Sequence, residues 1–271
     1  MTTPAEYVLA RSVLLDALEA LAPHLDAVIL VGAQAIYLHT GDADLNIPPT
    51  TTDADLALAP NKLGDSPLLE DAMQAAGFVL AADPGAWRGR MDVAVDLMVP
   101  EALSGRRSRR SARLPIHGDR VARRTRGLEA AIVDNEPREL TALDPSDGRW
   151  VRVRVAGPAA LLVAKVIKIE ERRDQPQRQE PKDGLDVLRI LQAAPTEELA
   201  QRLRELTDHA LAGDVTRKAV EVLRADGTGP NGQIASLAAR AVGVLENPDT
   251  IAASVVALVD DLLLRLATLG R

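Results

Sequence analysis

Residues 53–59 read DADLALA, and this stretch constrains the fold more than any other part of the chain. Side chains alternate between the two faces of a strand, so a strand here places Asp53 and Asp55 on the same face. The earlier run AVILV, residues 27–31, is short, wholly apolar and typical of a buried strand. Gly32 follows it and permits a tight turn into a helix. The sequence therefore predicts two strands, separated by a glycine turn and a helix, with paired carboxylates on the second strand.

A third acid on a later strand completes a pattern that suits metal binding. In MDVAVDLMV, residues 91–99, a strand would place Asp92, Ala94 and Asp96 on one face. Converging carboxylates repel one another unless a cation neutralises them, and oxygen ligands suit Mg²⁺ or Mn²⁺. Two such ions about 3.5–4 Å apart would clamp the oxygens of a phosphoryl displacement, and a helix start after Gly32 would offer N–H groups to a triphosphate. Taken alone, a D-x-D pair is more often a solvated strand end, but all three acids after the glycine turn favour a metal site.

The remaining pattern divides the chain into a mixed part and a helical part. Helices are predicted over residues 5–21, 33–39 and 65–76, and strands over residues 27–31, 53–59, 78–81, 91–99, 130–133 and 151–155. Residues 101–126 are polar and Arg-rich and are expected to form a partly mobile loop. From residue 158 onward the pattern is almost wholly helical. The predicted fold class is α+β, with a small mixed sheet and flanking helices over residues 1–155 and a helical domain over residues 156–271.

Composition excludes several classes of protein. The chain has a formal net charge of −7 and no cysteine, so disulfides and thiolate metal sites are excluded. No apolar run reaches the roughly 18–20 residues that span a bilayer, and acids interrupt the apolar N-terminus, which does not resemble a signal peptide. A cytoplasmic protein without a membrane partner is expected. The four histidines are scattered without ligand spacing and are interpreted as structural or solvated.

The negative net charge conceals a basic middle. Residues 88–182 contain 21 Lys and Arg against 14 Asp and Glu, whereas the rest contains 11 against 25. Within residues 106–126, nine arginines accompany a single acid, Asp119. Because Arg–phosphate contacts give affinity for nucleic acid without reading its sequence, this segment is a candidate contact for an RNA acceptor such as tRNA. A charged loop without a ligand and a docking site for an acidic protein remain the alternatives.

The first helix of the C-terminal part carries a cationic stripe. Lys165, Lys168 and Arg172 fall at i, i+3 and i+7 and lie on one helix face. Beside a triphosphate, such a stripe would neutralise phosphate charge. In the next helix Lys182 and Asp186 are four residues apart. The alternative for all of these residues is a solvated helix face with an ordinary ion pair.

Four segments together carry a family resemblance. LVGAQAIYLHTG and TTTDADLAL resemble the first two motifs of the nucleotidyltransferase superfamily, and VAVDLMV resembles the strand of the third acid. Downstream, LLVAKVIKIEERR and PKDGLDVLRIL resemble the lysine helix and K-D-x-x-D helix of AbiEii-like and MenT-like nucleotidyltransferases, which include toxins of bacterial toxin–antitoxin pairs. The resemblance implies a nucleotidyltransferase-type sheet domain over residues 1–155 and an NTP substrate.

The resemblance also implies roles for individual residues. Asp53 and Asp55 would bind Mg²⁺ or Mn²⁺, and Asp96 would be the third ligand or the general base. Lys165 and Lys168 would take part in catalysis by steadying phosphates. The implied nucleotide-binding residues are Gly32, Ala33, Gln34, Thr52, Lys182 and Asp186. An antitoxin protein is an implied partner.

Three functional hypotheses follow. The leading one is metal-dependent transfer of an NMP from an NTP to an acceptor hydroxyl, with tRNA as the first candidate acceptor. The second is transfer to a small hydroxylated molecule, as aminoglycoside nucleotidyltransferases do. The third is a non-catalytic protein-binding module, which two departures from the motifs permit: Ala33 stands where glycine is common, and Pro49 stands where arginine is often found.

Overall fold

A mixed β-sheet organises the first part of the chain. The computed structural model describes residues 4–41, 51–105, 110–243 and 245–270. In these residues the sheet has eight strands: β1 (Val28–Val31), β2 (Asp53–Leu58), β3 (Val79–Leu80), β4 (Ala86–Arg88), β5 (Ala94–Pro100), β6 (Arg123–Thr125), β7 (Asn135–Thr141) and β8 (Trp150–Ala156). Their order is β3-β4-β5-β2-β1-β8-β7, and β6 pairs with β5. β2 and β5 therefore lie in the interior of the sheet.

Strand directions are mixed. β2 runs parallel to β5 and antiparallel to β1, while β1 runs parallel to β8. β4 pairs antiparallel with both β3 and β5, and β7 pairs antiparallel with β8. The short β6 lies parallel to the end of β5. A strand bonded on both sides cannot slip without breaking two ladders, so the positions of the β2 and β5 side chains are well determined.

Along the chain, four helices in the described residues precede or separate these strands: α1 (Ala5–Ala20), α2 (Gly32–Thr40), α3 (Leu69–Ala75) and α4 (Glu129–Val133). α1 packs against β2, β5 and β8. Its buried side chains include Leu14 and Leu18, whose spacing places them on one helix face. The central mixed sheet with flanking helices confirms the predicted fold class.

The C-terminal part is helical, as the apolar periodicity predicts. Its described elements are α5 (Pro158–Glu171), α6 (Pro181–Ala193), α7 (Thr196–Asp208), α8 (Gly213–Asp226), α9 (Gln233–Val242) and α10 (Pro248–Leu269). α6 and α9 pack closely at Gly184, where an added Cβ would lie 2.5 Å from the Ala238 backbone nitrogen. Among the helices in the described ranges, none combines the length and apolar character that crossing a bilayer requires.

The chain divides into two compact units. The first comprises Met1–Ala35 and Pro48–Ala156, and the second comprises Ile36–Ile47 and Gly157–Arg271. The change from sheet to helix therefore falls after residue 156, beside the boundary placed at residue 155 from sequence. The membership of residues 36–40 has no counterpart in the sequence pattern, because the end of one helix carries no signal of which core it joins.

Several local expectations were wrong. Residues 130–133, expected as a strand, belong to helix α4, because a four-residue apolar run does not distinguish strand from helix. The Asn135 amide donates to the Ala131 and Ile132 carbonyls and so satisfies the end of that helix. The helix expected over residues 65–76 begins only at Leu69. Strands β4, β6 and β7 were not predicted.

Candidate active site

Three aspartates of the central strands lie on one face of the sheet. The parallel register of β2 and β5 sets Asp55 opposite Asp96, and two residues earlier Asp53 lies opposite Ala94. Since side chains alternate along each strand, Asp53, Asp55 and Asp96 point to the same side. Each is partly exposed, whereas the intervening Ala54 is buried. We call these three aspartates the acidic face; the structure brings together the carboxylates chosen from the sequence.

Gly32 lies directly against the acidic face. It has a φ of 68°, in the left-handed region that favours glycine. A Cβ built on Gly32 would lie 2.0 Å from Asp55 Oδ2 and 2.8 Å from Asp55 Cβ. No side chain fits in that space unless the Asp55 carboxylate moves. The glycine that ends β1 therefore sets the position of Asp55 as well as the turn into α2.

Asp53 is held by hydrogen bonds at its side chain and its backbone. The Thr51 hydroxyl donates to Asp53 Oδ1 over 2.6 Å. The Gln34 amide donates to the Asp53 carbonyl over 3.1 Å, and Arg11 Nε donates to Gln34 Oε1 over 2.8 Å. Thr51, Gln34 and Arg11 are all buried. This chain of contacts fixes the start of β2, where the first carboxylate is displayed.

Asp96 forms an ion pair with an arginine that sequence reasoning did not single out as a site residue. Arg123 Nη2 donates to Asp96 Oδ2 over 2.8 Å, with the two side chains 39% and 27% exposed. Burial raises the pKa of the Asp96 carboxyl, Arg123 opposes that rise, and the nearby charge of Asp53 adds to it. The influence of Asp53 on Asp96 reflects the closeness of the carboxylates across the two strands.

The donor chemistry of the acidic face suits a hard divalent cation. Carboxylate oxygens are preferred ligands of Mg²⁺ and Mn²⁺. Within the described ranges, no three Asp, Glu or His side chains form a ready-made metal cluster. Mg²⁺ in nucleotide-binding enzymes is usually held by only one or two carboxylates together with substrate phosphates. The acidic face therefore fits a cation that arrives with phosphate ligands, and the metal-binding roles of its members stay predictions.

A family model described as Nucleotidyltransferase matches residues 11–213, about three quarters of the chain, and this range includes all three aspartates. The chain belongs to the nucleotidyltransferase family. Family and fold thus support nucleotidyl transfer as the general class of reaction. The assignment of this nucleotidyltransferase-family protein to the AbiEii-like or MenT-like type stays a prediction.

Two further comparisons add little to the family assignment. The chain is similar to a solved structure, the crystal structure of an antigenic nucleotidyltransferase-like protein from Paracoccidioides brasiliensis. The two share 14% identity over 80% of this chain and 94% of that chain, with a TM-score of 0.35. A likeness this weak carries no argument about fold or function. A search of curated proteins gives no match.

The predicted nucleotide-binding residues of this nucleotidyltransferase-family protein differ in exposure. Ala33 is 5% exposed and Gln34 is 1% exposed. Both polar atoms of the Gln34 amide group are already engaged within the protein, so its observed contacts support β2. Thr52 is exposed beside the buried Thr51. Gly32 lies directly beside the Asp55 side chain, because a Cβ built on it would overlap the Asp55 carboxylate.

The described part of the Arg-rich segment is tied to the sheet. Arg120 donates to the Ala81 and Ala82 carbonyls at 3.1 Å each, and Arg124 forms an ion pair with Glu101. Residues 123–125 form β6. The expectation of a partly mobile loop over residues 101–126 was therefore wrong for these three residues. Arg106, Arg107 and Arg109 lie outside the described residues.

The lysine helix contributes to an ion-pair cluster within the second unit. Lys165 Nζ lies 2.9 Å from Asp183 Oδ1 and 2.7 Å from Asp186 Oδ2. Lys168 Nζ lies 3.0 Å from the same Asp183 oxygen, and Arg172 Nη1 lies 3.4 Å from Asp183 Oδ2. The lysines of α5 therefore pair with the acids of α6, and the predicted phosphate contacts of Lys165 and Lys168 stay predictions.

The charges of this cluster stabilise one another. Burial alone would lower the pKa of Lys165, but Asp186 and Asp183 outweigh it and raise that pKa. Burial alone would raise the pKa of Asp183, but Lys165 and Lys168 hold it below its ordinary value. Asp186 is buried in this cluster, while the predicted Lys182 is partly exposed at the start of α6. The predicted nucleotide contacts of Lys182 and Asp186 likewise remain untested.

Sequence reasoning missed three supporting residues: Arg11, Thr51 and Arg123. Arg11 did leave a signal, because it lies at i, i+3 and i+7 with the buried Leu14 and Leu18 and so places a charge on an apolar helix face. Thr51 lies in the motif segment TTTDADLAL and Arg123 in the Arg-rich segment, so both lay in segments already noted. Their contacts with Asp53 and Asp96 were not predicted, and that of Arg123 depends on the pairing of β5 with β6.

Proposed function

We propose that this protein transfers an NMP from an NTP to an acceptor hydroxyl in a reaction that requires Mg²⁺ or Mn²⁺. The observation that supports this most strongly is the register that sets Asp55 opposite Asp96, with Asp53 on the same face. Membership of the nucleotidyltransferase family supplies the reaction class. In that reaction the acceptor oxygen bonds to the α-phosphorus, the bond to the bridging oxygen breaks, and pyrophosphate leaves.

The acidic face supplies the protein groups for this chemistry. Asp53 and Asp55 would hold the cation, and Asp96 would complete the site or accept the proton of the attacking hydroxyl. A bound cation would neutralise phosphate charge and align the attacking and leaving oxygens. The hydroxyl of Thr51 orients the Asp53 carboxylate, and the missing side chain of Gly32 leaves room for that of Asp55.

The first candidate acceptor is tRNA. Arg110 and Arg113 are exposed on the segment that precedes β6, which leaves their guanidinium groups accessible to RNA phosphates. The resemblance to toxin-type enzymes points to the same acceptor class and makes an antitoxin protein the expected regulatory partner. A small hydroxylated acceptor is the rival within the same chemistry.

A transfer assay tests the proposal. The full chain is incubated with each α-³²P-labelled NTP, Mg²⁺ and total tRNA, beside the variants Asp53→Asn and Asp55→Asn. The matched control is Asp92→Asn, an exposed acid in the turn before β5. We expect label on RNA with the wild type and the control, and at least about a hundredfold loss in the two site variants, because each removes a metal ligand. Label only on a small acceptor would support the rival; no transfer to either acceptor would contradict the proposal.

The RNA contact has its own test. The double variant Arg110→Gln/Arg113→Gln should bind tRNA more weakly and should reduce the slope of log affinity against log salt by about 0.7–0.9 for each phosphate that is no longer neutralised. The exposed Arg240→Gln, on α9, serves as control. An unchanged slope in the double variant would exclude these arginines as phosphate contacts.

A further inference from the structure

Arg123 reaches the acidic face from a neighbouring strand. The parallel register of β5 and β6 sets Arg123 opposite Met98, two residues beyond Asp96. Residues two apart on a strand share a face, so Arg123 and Asp96 are diagonal neighbours, which a long side chain can bridge. The 2.8 Å contact between Arg123 Nη2 and Asp96 Oδ2 follows from this register.

Two buried contacts fix the position of β6. A Cβ on Gly85, which has a φ of 73°, would lie 2.3 Å from the Arg123 backbone nitrogen and 2.4 Å from the Leu97 carbonyl oxygen. The turn at Gly85 is therefore packed against both β5 and β6. Trp87, fully buried on β4, donates through its indole N–H to the Val121 carbonyl over 3.0 Å. Strand packing therefore fixes the backbone of Arg123 beside Asp96.

The contact uses only part of the guanidinium. Arg123 binds one Asp96 oxygen through one nitrogen, and among the described residues its buried Nε has no hydrogen-bond partner. An arginine fork is suited to grip two oxygens of a carboxylate or phosphate. Arg123 therefore retains donor capacity beyond the ion pair, at the place where the proposed reaction brings a triphosphate.

We propose that Arg123 couples cation binding to nucleotide binding. Its positive charge neutralises Asp96 and opposes a cation at the acidic face when no nucleotide is bound. An arriving triphosphate offers phosphate oxygens to the guanidinium, which turns to them and leaves the Asp96 carboxylate to the cation. The inference rests on the proposed function and adds that the cation binds the protein weakly alone and well as its nucleotide complex.

The positive charge of Arg123 sets the sign of the effect. Like charges a few ångströms apart repel one another, and at a protein surface solvent and salt weaken that repulsion. Because the Arg123–Asp96 pair is partly exposed, the net opposition to a cation is smaller. A net repulsion of this size lowers the affinity of the acidic face for a cation by roughly threefold to tenfold.

The test measures binding and not turnover. Mn²⁺ alone, and then Mn²⁺ with inorganic tripolyphosphate, are titrated into the wild type, Arg123→Gln and Arg123→Lys by calorimetry, with Mn²⁺ paramagnetic resonance as a second readout. We expect Arg123→Gln to bind Mn²⁺ alone about threefold to tenfold more tightly, and to bind the Mn²⁺–tripolyphosphate complex more weakly. Arg123→Lys keeps the charge and should stay close to the wild type in both titrations. The control is the exposed Arg240→Gln on α9, which should alter neither.

Coupling predicts that Arg123→Gln changes the two affinities in opposite directions, with Mn²⁺ alone bound more tightly and its tripolyphosphate complex more weakly. A purely structural Arg123 would change both titrations in the same direction, or neither, and that result would overturn the proposal. Asp55→Asn separates this failure from that of the proposed function. If Asp55→Asn abolishes Mn²⁺ binding while Arg123→Gln leaves both affinities unchanged, the coupling alone is wrong. If Asp55→Asn binds Mn²⁺ as the wild type does, the metal site itself is wrong and the coupling falls with it.

Discussion

At Gly32, both the backbone conformation and the packing require a residue without a side chain. Its φ of 68° disfavours any L side chain, and its missing Cβ leaves the space that the Asp55 carboxylate fills. We expect Gly32→Ala to lower the free energy of unfolding by more than the roughly 1–2 kcal/mol of left-handed strain and to abolish Mn²⁺ binding. The control is Gly41→Ala, at a φ of 51° with nothing within 4 Å of the added Cβ. If urea unfolding gave Gly32→Ala and Gly41→Ala the same loss of unfolding free energy, the packing argument would be contradicted.

Asp183 is a second residue whose surroundings predict a measurable effect. Because the folded-state pKa of Asp183 is lowered, its ionisation contributes stability above its ordinary pKa, and that contribution is lost as the pH falls through the lowered value. Asp183→Asn should cost about 3 kcal/mol at pH 7, since it leaves buried cations short of a partner, and less near pH 3. The exposed Glu205→Gln, whose pair with Arg202 lies on the surface, should cost almost nothing. A penalty for Asp183→Asn that does not shrink on acidification would contradict this account.

At the scale of elements, the packing of α6 on α9 reverses the usual preference for alanine over glycine within a helix. Alanine normally stabilises a helix interior relative to glycine by up to about 1 kcal/mol. At Gly184 the added Cβ would lie 2.5 Å from the Ala238 nitrogen, so we expect Gly184→Ala to destabilise by about 1–3 kcal/mol. Gly229→Ala, where nothing lies within 4 Å, should be close to neutral. Thermal unfolding of both variants shows whether each substitution lowers or raises stability; a Gly184→Ala protein as stable as the wild type would contradict the packing argument.

The elements that were predictable from sequence are those whose pattern is set locally. The alternation in residues 53–59 gives the β2 face directly, and the periodicity after residue 158 gives the helices. β6 and β7 were missed because they are Arg- and Glu-rich and owe their conformation to the strands they pair with. Tertiary pairing overrides weak local preference in such strands. The face shared by the three aspartates was thus predictable, and the arginine beside them was not.

At the scale of the whole molecule, the division into units predicts which regions open together. Residues 36–40 belong with the helical unit, where Arg189 lies over the Tyr37 ring at 5.1 Å and donates to its hydroxyl. In hydrogen exchange under mild denaturant, the amides of residues 36–40 should therefore open with those of α6. The amides of β1 should open with the sheet. Exchange of residues 36–40 together with β1 would show that α2 follows the sheet.

The double-sided pairing of β2 has a consequence for how this chain can vary. An insertion or deletion of one residue within the strand would rotate Asp53 and Asp55 into the apolar layer now filled by Ala54 and Leu56. Two buried carboxylates without partners would cost several kcal/mol each. We therefore expect a change in the length of this strand to destabilise the fold, whereas an exchange of Asp53 or Asp55 for another residue alters the acidic face without moving the strand.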